Sequence, residues 1–563
     1  MPVLDRLMNV GSMADSMGVY LPTKVIQKGL GMVRLLVFMY LTTRVQYDLW
    51  GLGMMIFTVA APILTLGSNQ ALTRYVSLYE ARRQLRAFCR RVSWCVPAAA
   101  ATMTLLAFAL SEPITKYAIV SHLPDPAVTY SQQRMICWAA LANALMLALF
   151  HNLMGILYGM RMYRLVAVVE LVWALIFTVL GCAALAVSPT GLAALVSHLA
   201  SLVLTLGIGS ALLHVALNRA GAGGGGLGVK PAAEAPPAPR APEGPVAADT
   251  ARPGEATAVV PLVEGGEMTG AMPVAAALRA GQPPGPLGAV GRVLRFGLVA
   301  LVGTTLWNWA GFVSFWLTNR ICGQAQGGVF HAFLSIGQAM VFLADAAWAV
   351  VFSHVARRWE GSDRRTAMFT LETAYKAIAM AMMTLTILVY VAAPLWVRIL
   401  PVPYRDGQSL LGGLLLFFQV TIHLALMTIL AKLHERPVVI ALAGAMGIAV
   451  NLALGLWWMP GREAHAAAVS AALAAGVGIY VGAGAVTAAY LLAARVRLSP
   501  GTWFVLAAPA ILLLPLWAAG TLWAGVCAAA VFTRLLFARG EKQLLANSAL
   551  KVAAMARRVV SWR

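Results

Sequence analysis

Basic and polar residues recur at helical spacing in an otherwise apolar stretch, residues 20–43. At about 100° per residue they share one helical face, within an arc of about 80°. This face contains Lys24, Gln27, Gly31 and Arg34, with Lys28 beside them. Ammonium and guanidinium groups bind phosphate and carboxylate oxygens through charge-assisted hydrogen bonds. The face therefore predicts a site for a pyrophosphate or an acidic sugar. The alternative is that the lysines only reach interfacial water and Arg34 only pairs with a carboxylate.

A second polar face is predicted within residues 328–354. Its members are His331, Ser335, Gln338 and Asp345, which follow one another at helical spacing. Asp345 is interpreted as a partner for Arg34 or as a proton carrier, and Gln338 as a group lining the same cavity. The alternative is that these side chains are hydrogen-bonding contacts between packed helices.

Two further polar residues stand alone in apolar surroundings. Asn308 lies between Trp307 and Trp309, so its amide could hydrogen-bond a sugar while the indoles stack on it, although tryptophans also serve simple packing. Glu170 is the lone carboxylate of residues 163–186 and is either a coupling-ion site or half of a structural ion pair.

A third acid and its basic neighbour, Glu372 and Lys376, are four positions apart on one predicted helix. Oppositely charged side chains at this spacing face each other on a helix surface. We therefore expect Glu372 and Lys376 to pair with each other near a membrane interface.

The composition shows which elements must position these groups. Of the 563 residues, 60% are hydrophobic and 11% are charged, whereas globular domains carry about 25% charged residues. The apolar residues form long uncharged runs without a period-two alternation. Because hydrocarbon offers no water to the backbone, such runs must be helices. The sequence predicts an all-α polytopic membrane protein with about 14 transmembrane helices.

The predicted spans form three groups along the chain. They cover residues 20–43, 48–72, 93–115, 135–159, 163–186 and 191–217, then 292–318, 328–354, 368–396, 409–431, 437–459 and 464–493, then 501–519 and 521–538.

The distribution of basic residues predicts the orientation. The net charge is +21, but the basic residues are clustered in every second loop between the spans, and these loops lie on one side of the membrane; the Arg-rich segment 82–91 is an example. This is the positive-inside pattern, so it indicates membrane topology rather than a nucleic-acid partner. We expect a multi-pass protein of the cell inner (plasma) membrane with both termini cytoplasmic.

The sequence contains no sign of a cofactor. Its six cysteines form no CxxC pair and no Cys/His set at zinc spacing, and no GxxxxGK[ST] motif occurs. We expect no metal, no organic cofactor and no bound nucleotide, and leave coupling to H⁺ or Na⁺ open.

The chain is predicted to have five parts. Residues 219–290 are rich in Gly, Pro and Ala and lack aromatic residues, which is typical of a disordered linker. The parts are an N-terminal lobe (1–218), the cytoplasmic linker (219–290), a C-terminal lobe (291–497), a final helix pair (498–540) and a basic amphipathic cytoplasmic tail (541–563).

The two lobes are related by an internal repeat. The motif LTTR at residues 41–44 recurs as LTNR at residues 317–320, and the same offset carries Gly51 onto Gly327. Six spans per lobe is an even number, so both lobes insert with the same orientation. The sequence predicts a pseudo-twofold axis along the membrane normal, with a substrate path between the lobes.

Residues 28–75, which begin KGLGMVRLLVFMYLTTR, resemble the start of the polysaccharide and O-antigen flippases of the multidrug/oligosaccharidyl-lipid/polysaccharide (MOP) exporter superfamily. The layout of six plus six spans with an added pair resembles the fourteen-span members. The insert at residues 219–290 departs from the pattern of that family.

The resemblance implies a flippase, not an enzyme. It would move a polyprenyl-pyrophosphate-linked oligosaccharide across the inner membrane by alternating access, through a cationic cavity and without ATP of its own. Its partners would be membrane lipids, the lipid-linked saccharide and glycan-assembly proteins. An ion-coupled multidrug antiporter of the same fold is the alternative, and it would need an acidic cavity. A membrane glycosyltransferase or polymerase is a third reading and would need catalytic carboxylates outside.

Overall fold

The computed structural model describes seven long ranges of the chain together with a few isolated positions. The ranges are 13–68, 85–120, 128–160, 162–222, 286–360, 363–434 and 436–547. Within them the chain is helical and contains no strand. Most of the predicted linker and of the predicted tail lies outside the described residues.

The first lobe contains six long helices in the described part of the chain. They are α1 (Met13–Leu41), α2 (Arg44–Leu64), α3 (Leu85–Ala109), α4 (Tyr130–Gly159), α5 (Tyr163–Val187) and α6 (Gly191–Ala222). Thr43 and Thr129 begin α2 and α4 as N-caps, because each hydroxyl accepts a hydrogen bond from the backbone N–H three residues later.

The second lobe has the same order of elements and is followed by a final pair. Its helices are α7 (Pro286–Cys322), α8 (Gln324–Glu360), α9 (Arg364–Val391), α10 (Leu411–His423 and Ala425–Leu433), α11 (Val438–Trp458) and α12 (Ala464–Ala493). The pair consists of α13 (Pro500–Ala507, continued by a 3₁₀ turn to Leu513) and α14 (Leu516–Phe532).

The described helices have the dimensions of membrane spans. Nine of them are long and apolar enough to cross a membrane, and the two helices of the final pair are apolar but shorter. The nine do not include α1, α7 and α8, the three helices that carry most of the predicted site residues. The prediction of an all-α polytopic membrane protein is confirmed.

Both lobes pack their helices in the same way. In the first lobe α1 packs on α5, α2 on α4, and both α4 and α5 on α6. In the second lobe α7 packs on α11, α8 on α10, and both α10 and α11 on α12. The predicted repeat therefore extends to the tertiary structure and confirms two pseudo-symmetric six-helix lobes.

The lobes meet through the four helices that the repeat makes equivalent. The contacts are α2 with α8, α1 with α8, and α2 with α7. We call the end of the bundle at which α2 and α8 begin the Arg44 end. There the Trp316 indole N–H donates to the carbonyl of Tyr117 at 3.0 Å, and the Tyr40 hydroxyl donates to the carbonyl of Ile399. The ends of α1 and α7 and the segments that follow α3 and α9 therefore lie at one end of the bundle.

Glycines allow the lobes to approach closely at the Arg44 end. A Cβ on Gly328 would overlap the backbone carbonyl of Arg44, and a Cβ on Gly51 would overlap the ring of His331. A side chain can move aside, but the backbone of α2 cannot do so without moving the lobe. The Arg44 end is therefore held closed by direct contact between the two lobes.

We predict that Gly328→Ala opens the Arg44 end, because the added methyl group has no space beside the Arg44 carbonyl. The native thiol of Cys322, which is buried at this end, should then react faster with a water-soluble maleimide in a protein lacking the other five cysteines. Gly484→Ala is the matched control, since nothing lies within 4 Å of the Cβ position there. Equal reactivity of the two variants would show that the contact does not hold the end closed.

The ends of the predicted linker differ from the sequence-based boundaries. Helix α6 continues to Ala222, and α7 already begins at Pro286, so residues 219–222 and 286–290 are helical. Residues 223–285 of the predicted linker lie outside the described part of the chain.

The final pair is attached to the second lobe by a buried ion pair. Lys376 of α9 lies 2.6 Å from the carboxylate of Glu541, and Glu372 accepts hydrogen bonds from the backbone N–H of Ser499 at 3.0 Å and the hydroxyl of Thr502 at 2.8 Å. The predicted pairing of Glu372 with Lys376 is wrong. Both side chains instead bind groups far along the chain, because α13 and α14 pack on α9 and Leu536 and Glu541 after α14 bind Lys376.

Candidate functional site

Lys24 is neutralised within the first lobe. Its ammonium group forms an ion pair with Glu170 of α5 and lies 5.4 Å from the centre of the Tyr20 ring. The Tyr158 hydroxyl donates to Glu170 at 3.2 Å and is 2.9 Å from the hydroxyl of Tyr20. The ion pair considered for Glu170 is therefore present, and a role of Glu170 in ion coupling stays a prediction.

Arg34 is held by an aromatic ring instead of a carboxylate. The guanidinium carbon lies 4.0 Å from the centre of the Phe177 ring on α5, a stacking distance for a cation on an aromatic face. Phe177 is itself fixed, because it is buried and packs edge-on against His198 of α6. The Arg34 Nε atom has no hydrogen-bond partner, and no ion pair involving Arg34 occurs in the described part of the chain.

Lys28, Asp345 and Lys432 interact electrostatically across three helices. The Asp345 carboxylate on α8 interacts electrostatically with Lys28 of α1 and with Lys432 of α10, and more weakly with Lys24. Lys28 also interacts with Arg34. Asp345 and Lys432 are exposed and Lys28 is half-buried, and we call the region in which these three residues lie the interlobe cleft. The expected ion pair of Asp345 with Arg34 is absent from the described part of the chain, and the cations that act on Asp345 are lysines.

The two predicted glutamines differ in environment. Gln27 is buried in the first lobe, and its Oε1 atom has no hydrogen-bond partner among the described residues. An unsatisfied buried acceptor in a membrane helix is costly unless a ligand or water reaches it. Gln338 of α8 is half-buried on the helix that carries Asp345. The binding roles of both side chains stay predictions.

Asn308 and His331 connect the lobes directly. The Asn308 amide donates to the backbone carbonyl of Thr58 on α2 at 3.2 Å. His331 is buried within an aromatic cage, with ring centres 5.1 Å from Tyr47 and 5.3 Å from Trp50. His331 therefore belongs to the packed contact at the Arg44 end, whereas Asp345 of the same helix is exposed in the cleft.

The site carries more positive than negative charge. Its cations are Lys24, Lys28, Arg34 and Lys432, and its carboxylates are Glu170 and Asp345. Glu170 neutralises Lys24 and Asp345 is shared between the cleft lysines, so Arg34 is left without a countercharge. Such a site can bind an anion with several oxygens, since guanidinium and ammonium donors suit phosphate groups.

Sequence reasoning missed two charged residues of the lobe interface. Lys432 directly follows the predicted span 409–431, where a basic residue is typical of the positive-inside pattern and gives no sign of a site. Asp48, close to the start of α2, had no distinguishing signal because single acids are common at span ends. Its burial depends on α7 and α8, about half the chain away.

No protein-family model and no curated protein matches the chain. Solved structures do. A multidrug resistance MATE family transporter of the MOP superfamily in an inward-facing conformation is 14% identical, with 84% of this chain and 96% of that chain covered and a TM-score of 0.54. An outward-facing structure of such a transporter is 13% identical, with 88% and 99% covered and a TM-score of 0.53.

A third structure, MATE in complex with MaL6, is also 13% identical, with 88% and 99% covered and a TM-score of 0.53. At these identities the likeness concerns the fold alone. Nearly the whole length of each transporter is matched, including both lobes. The chain therefore has the fold of the MATE transporters of the MOP superfamily.

Proposed function

We propose that this chain transports an anionic, lipid-linked saccharide by opening the interlobe cleft alternately to the two sides of the membrane. The observation that carries the proposal is that Arg34 has no countercharge among the described residues. An arginine within a membrane helix is tolerated when it faces a polar cavity or a partner. Here it is stacked on Phe177 and has hydrogen-bonding capacity left over. A pyrophosphate would supply the missing countercharge.

Other polar residues of the site fit the same substrate. Lys28 and Lys432 border the cleft and would attract the pyrophosphate, while Gln27 and Asn308 offer amides for sugar hydroxyls. The lipid tail would stay in the bilayer and the headgroup would pass between α1 and α8. Lobes related by a repeat can rock about such a path, closing one mouth as the other opens. The proposed substrate class is a polyprenyl-pyrophosphate-linked oligosaccharide.

In the proposed orientation the protein lies in the inner membrane, with the Arg44 end outside and both termini in the cytoplasm. It is supported by the basic loops at the opposite end. In this conformation the Arg44 end is closed and Asp345 is exposed, so the cleft would receive its substrate from the cytoplasmic side.

An ion-coupled multidrug antiporter is the second candidate. Its support is the shared fold with multidrug MATE transporters and the presence of two carboxylates, Glu170 and Asp345, which a cationic drug could use. The two candidates differ in the charge of their substrate, and Asp345 is the residue on which they make opposite predictions.

We predict that Asp345→Asn strengthens the binding of undecaprenyl pyrophosphate about tenfold. Removing the carboxylate frees Lys28 and Lys432 for the ligand, and about 1.4 kcal/mol corresponds to tenfold in affinity. Binding would be measured with the purified full-length protein in lipid nanodiscs, using undecaprenyl pyrophosphate and the cation ethidium as separate probes.

The matched control is Asp406→Asn, which removes an exposed carboxylate outside the cleft. It should leave both affinities unchanged. Tight binding of ethidium that is lost in Asp345→Asn, with no binding of undecaprenyl pyrophosphate, would favour the antiporter and reject the flippase.

A further inference from the structure

Asp48 is a completely buried acid at the contact between the lobes. Its exposed fraction is 0%, and it lies on the second turn of α2. The Asn319 amide of α7 donates to one carboxylate oxygen at 2.5 Å, across the lobe boundary. The other oxygen has no hydrogen-bond partner among the described residues and lies against Gly327 of α8, where any side chain would overlap it.

The elements packed around Asp48 carry further charged and titratable groups. They are Arg44 and Tyr47 of α2, Arg320 of α7, His331 of α8, and Tyr404 and Asp406 of the segment before α10. Arg44 and Arg320 are the cations among them, but the Arg44 guanidinium faces Asp406 at 3.9 Å and that of Arg320 donates to the carbonyl of Val120 at 3.4 Å. Tyrosine phenols titrate near pH 10, so they stay neutral at physiological pH. No ion pair to Asp48 occurs in the described part of the chain.

An ionised Asp48 would be poorly stabilised here. Burying a carboxylate without a cation and with one hydrogen bond loses most of its hydration. The start of α8 carries a partial positive charge that favours an anion. However, the Gly327 N–H is already bonded to the carbonyl of Gly323 at 3.0 Å. A neutral acid, accepting from Asn319 through its carbonyl oxygen, suits the site better.

We propose that Asp48 binds a proton when the lobes close at the Arg44 end and releases it when they separate. The carboxylate takes the proton from water on that side of the membrane, becomes a neutral acid, and returns the proton to the same water on opening. No other reactant is needed. Acidification on the Arg44 side should therefore favour the closed end. This inference rests on the proposed alternation of the two lobes, and it identifies Asp48 as the residue that binds a proton during that alternation.

The test measures the distance between the lobes in the full-length protein in lipid nanodiscs without substrate. Nitroxide labels at positions 188 and 463, on exposed loops of the two lobes at the Arg44 end, would be read by pulsed electron paramagnetic resonance, with the six native cysteines replaced. The closed population of the otherwise native protein should rise as the pH falls. One proton permits at most about a tenfold change of the closed-to-open ratio per pH unit.

Asp48→Asn should keep the Arg44 end closed at every pH, because the amide has the shape of the neutral acid and cannot ionise. Asn319→Asp places a second carboxylate beside Asp48, so it should open this end at neutral pH and close it only on acidification. Glu112→Gln is the control and should retain the native pH response, because its carboxylate is exposed and lies outside the contact around Asp48.

Two outcomes would overturn the proposal. An Arg44 end that opens in Asp48→Asn would mean that the ionised carboxylate holds the lobes together. A native pH response in Asp48→Asn would assign the titration to another group, such as His331. Because the measurement uses no substrate, neither result would argue against transport of a saccharide. Failure to bind undecaprenyl pyrophosphate would, in turn, not argue against proton binding by Asp48.

Discussion

Arg34→Ala is expected to lower transport of a lipid-linked saccharide by about 30-fold to several thousand-fold. Removing one partner of a buried, hydrogen-bonded charge pair costs about 2–5 kcal/mol, and about 1.4 kcal/mol corresponds to tenfold. The affected pair is the one proposed between Arg34 and the pyrophosphate. Proteoliposomes containing the purified variant and undecaprenyl pyrophosphate linked to a fluorescent disaccharide would report the rate of translocation.

The stability of the same variant distinguishes a functional from a structural arginine. No carboxylate is paired with Arg34 in the described residues, so its removal leaves no other charge unsatisfied. Arg34→Ala should therefore unfold at the native temperature or above it, whereas a structural arginine would destabilise the lobe when removed. Residues kept for function are often neutral or unfavourable for stability.

Arg34→Lys and Phe177→Leu refine this prediction. Lysine keeps the charge but loses the planar donors and the stacking on Phe177, so we expect partial transport. Phe177→Leu keeps the guanidinium but removes its support and should have a smaller effect than Arg34→Ala. Arg398→Ala is the matched control, because this arginine is exposed on the short 3₁₀ helix Val397–Ile399. Transport at the native rate by Arg34→Ala would reject the proposed role.

The membrane fold could be predicted because its causes are local. Each span is an apolar run, and hydrocarbon leaves such a run no alternative to a helix. The repeat was visible because LTTR and LTNR place equivalent turns at equivalent points, and the structure packs both lobes in the same order. Boundaries were less accurate: α3 begins at Leu85, eight positions before the predicted start at 93, since a helix can continue into the polar interface.

The polar contacts could not be predicted because they join distant segments. Helical spacing correctly placed Lys24, Lys28 and Arg34 on α1. However, long flexible side chains choose partners by tertiary packing, so Lys24 reaches Glu170, Arg34 reaches Phe177, and Lys28 is close to Asp345. A helical wheel predicts the face of the helix from which a side chain projects. The packing of the neighbouring helices determines which group its charged end contacts.

The ion pair of Lys376 with Glu541 leads to the second large effect. We expect Glu541→Ala to destabilise the protein by about 3–5 kcal/mol, because it leaves a buried lysine without its counterion. Lys376 is 1% exposed, and its remaining partners would be the Ser499 hydroxyl at 3.2 Å and the Leu536 carbonyl at 3.1 Å. Thermal unfolding of the protein in detergent, followed by tryptophan fluorescence, would measure the loss.

The double variant Lys376→Met with Glu541→Leu separates the charge from the packing. Replacing both members of a buried ion pair by apolar residues of similar volume is often neutral or stabilising. The double variant should therefore unfold near the native temperature, although Glu541→Ala alone unfolds well below it. Glu463→Ala, which removes an exposed carboxylate, is the control and should have no effect. Equal destabilisation of the single and double variants would mean that Glu541 acts through its other hydrogen bonds, to the Ala538 N–H and the Thr373 hydroxyl, and not through the lysine.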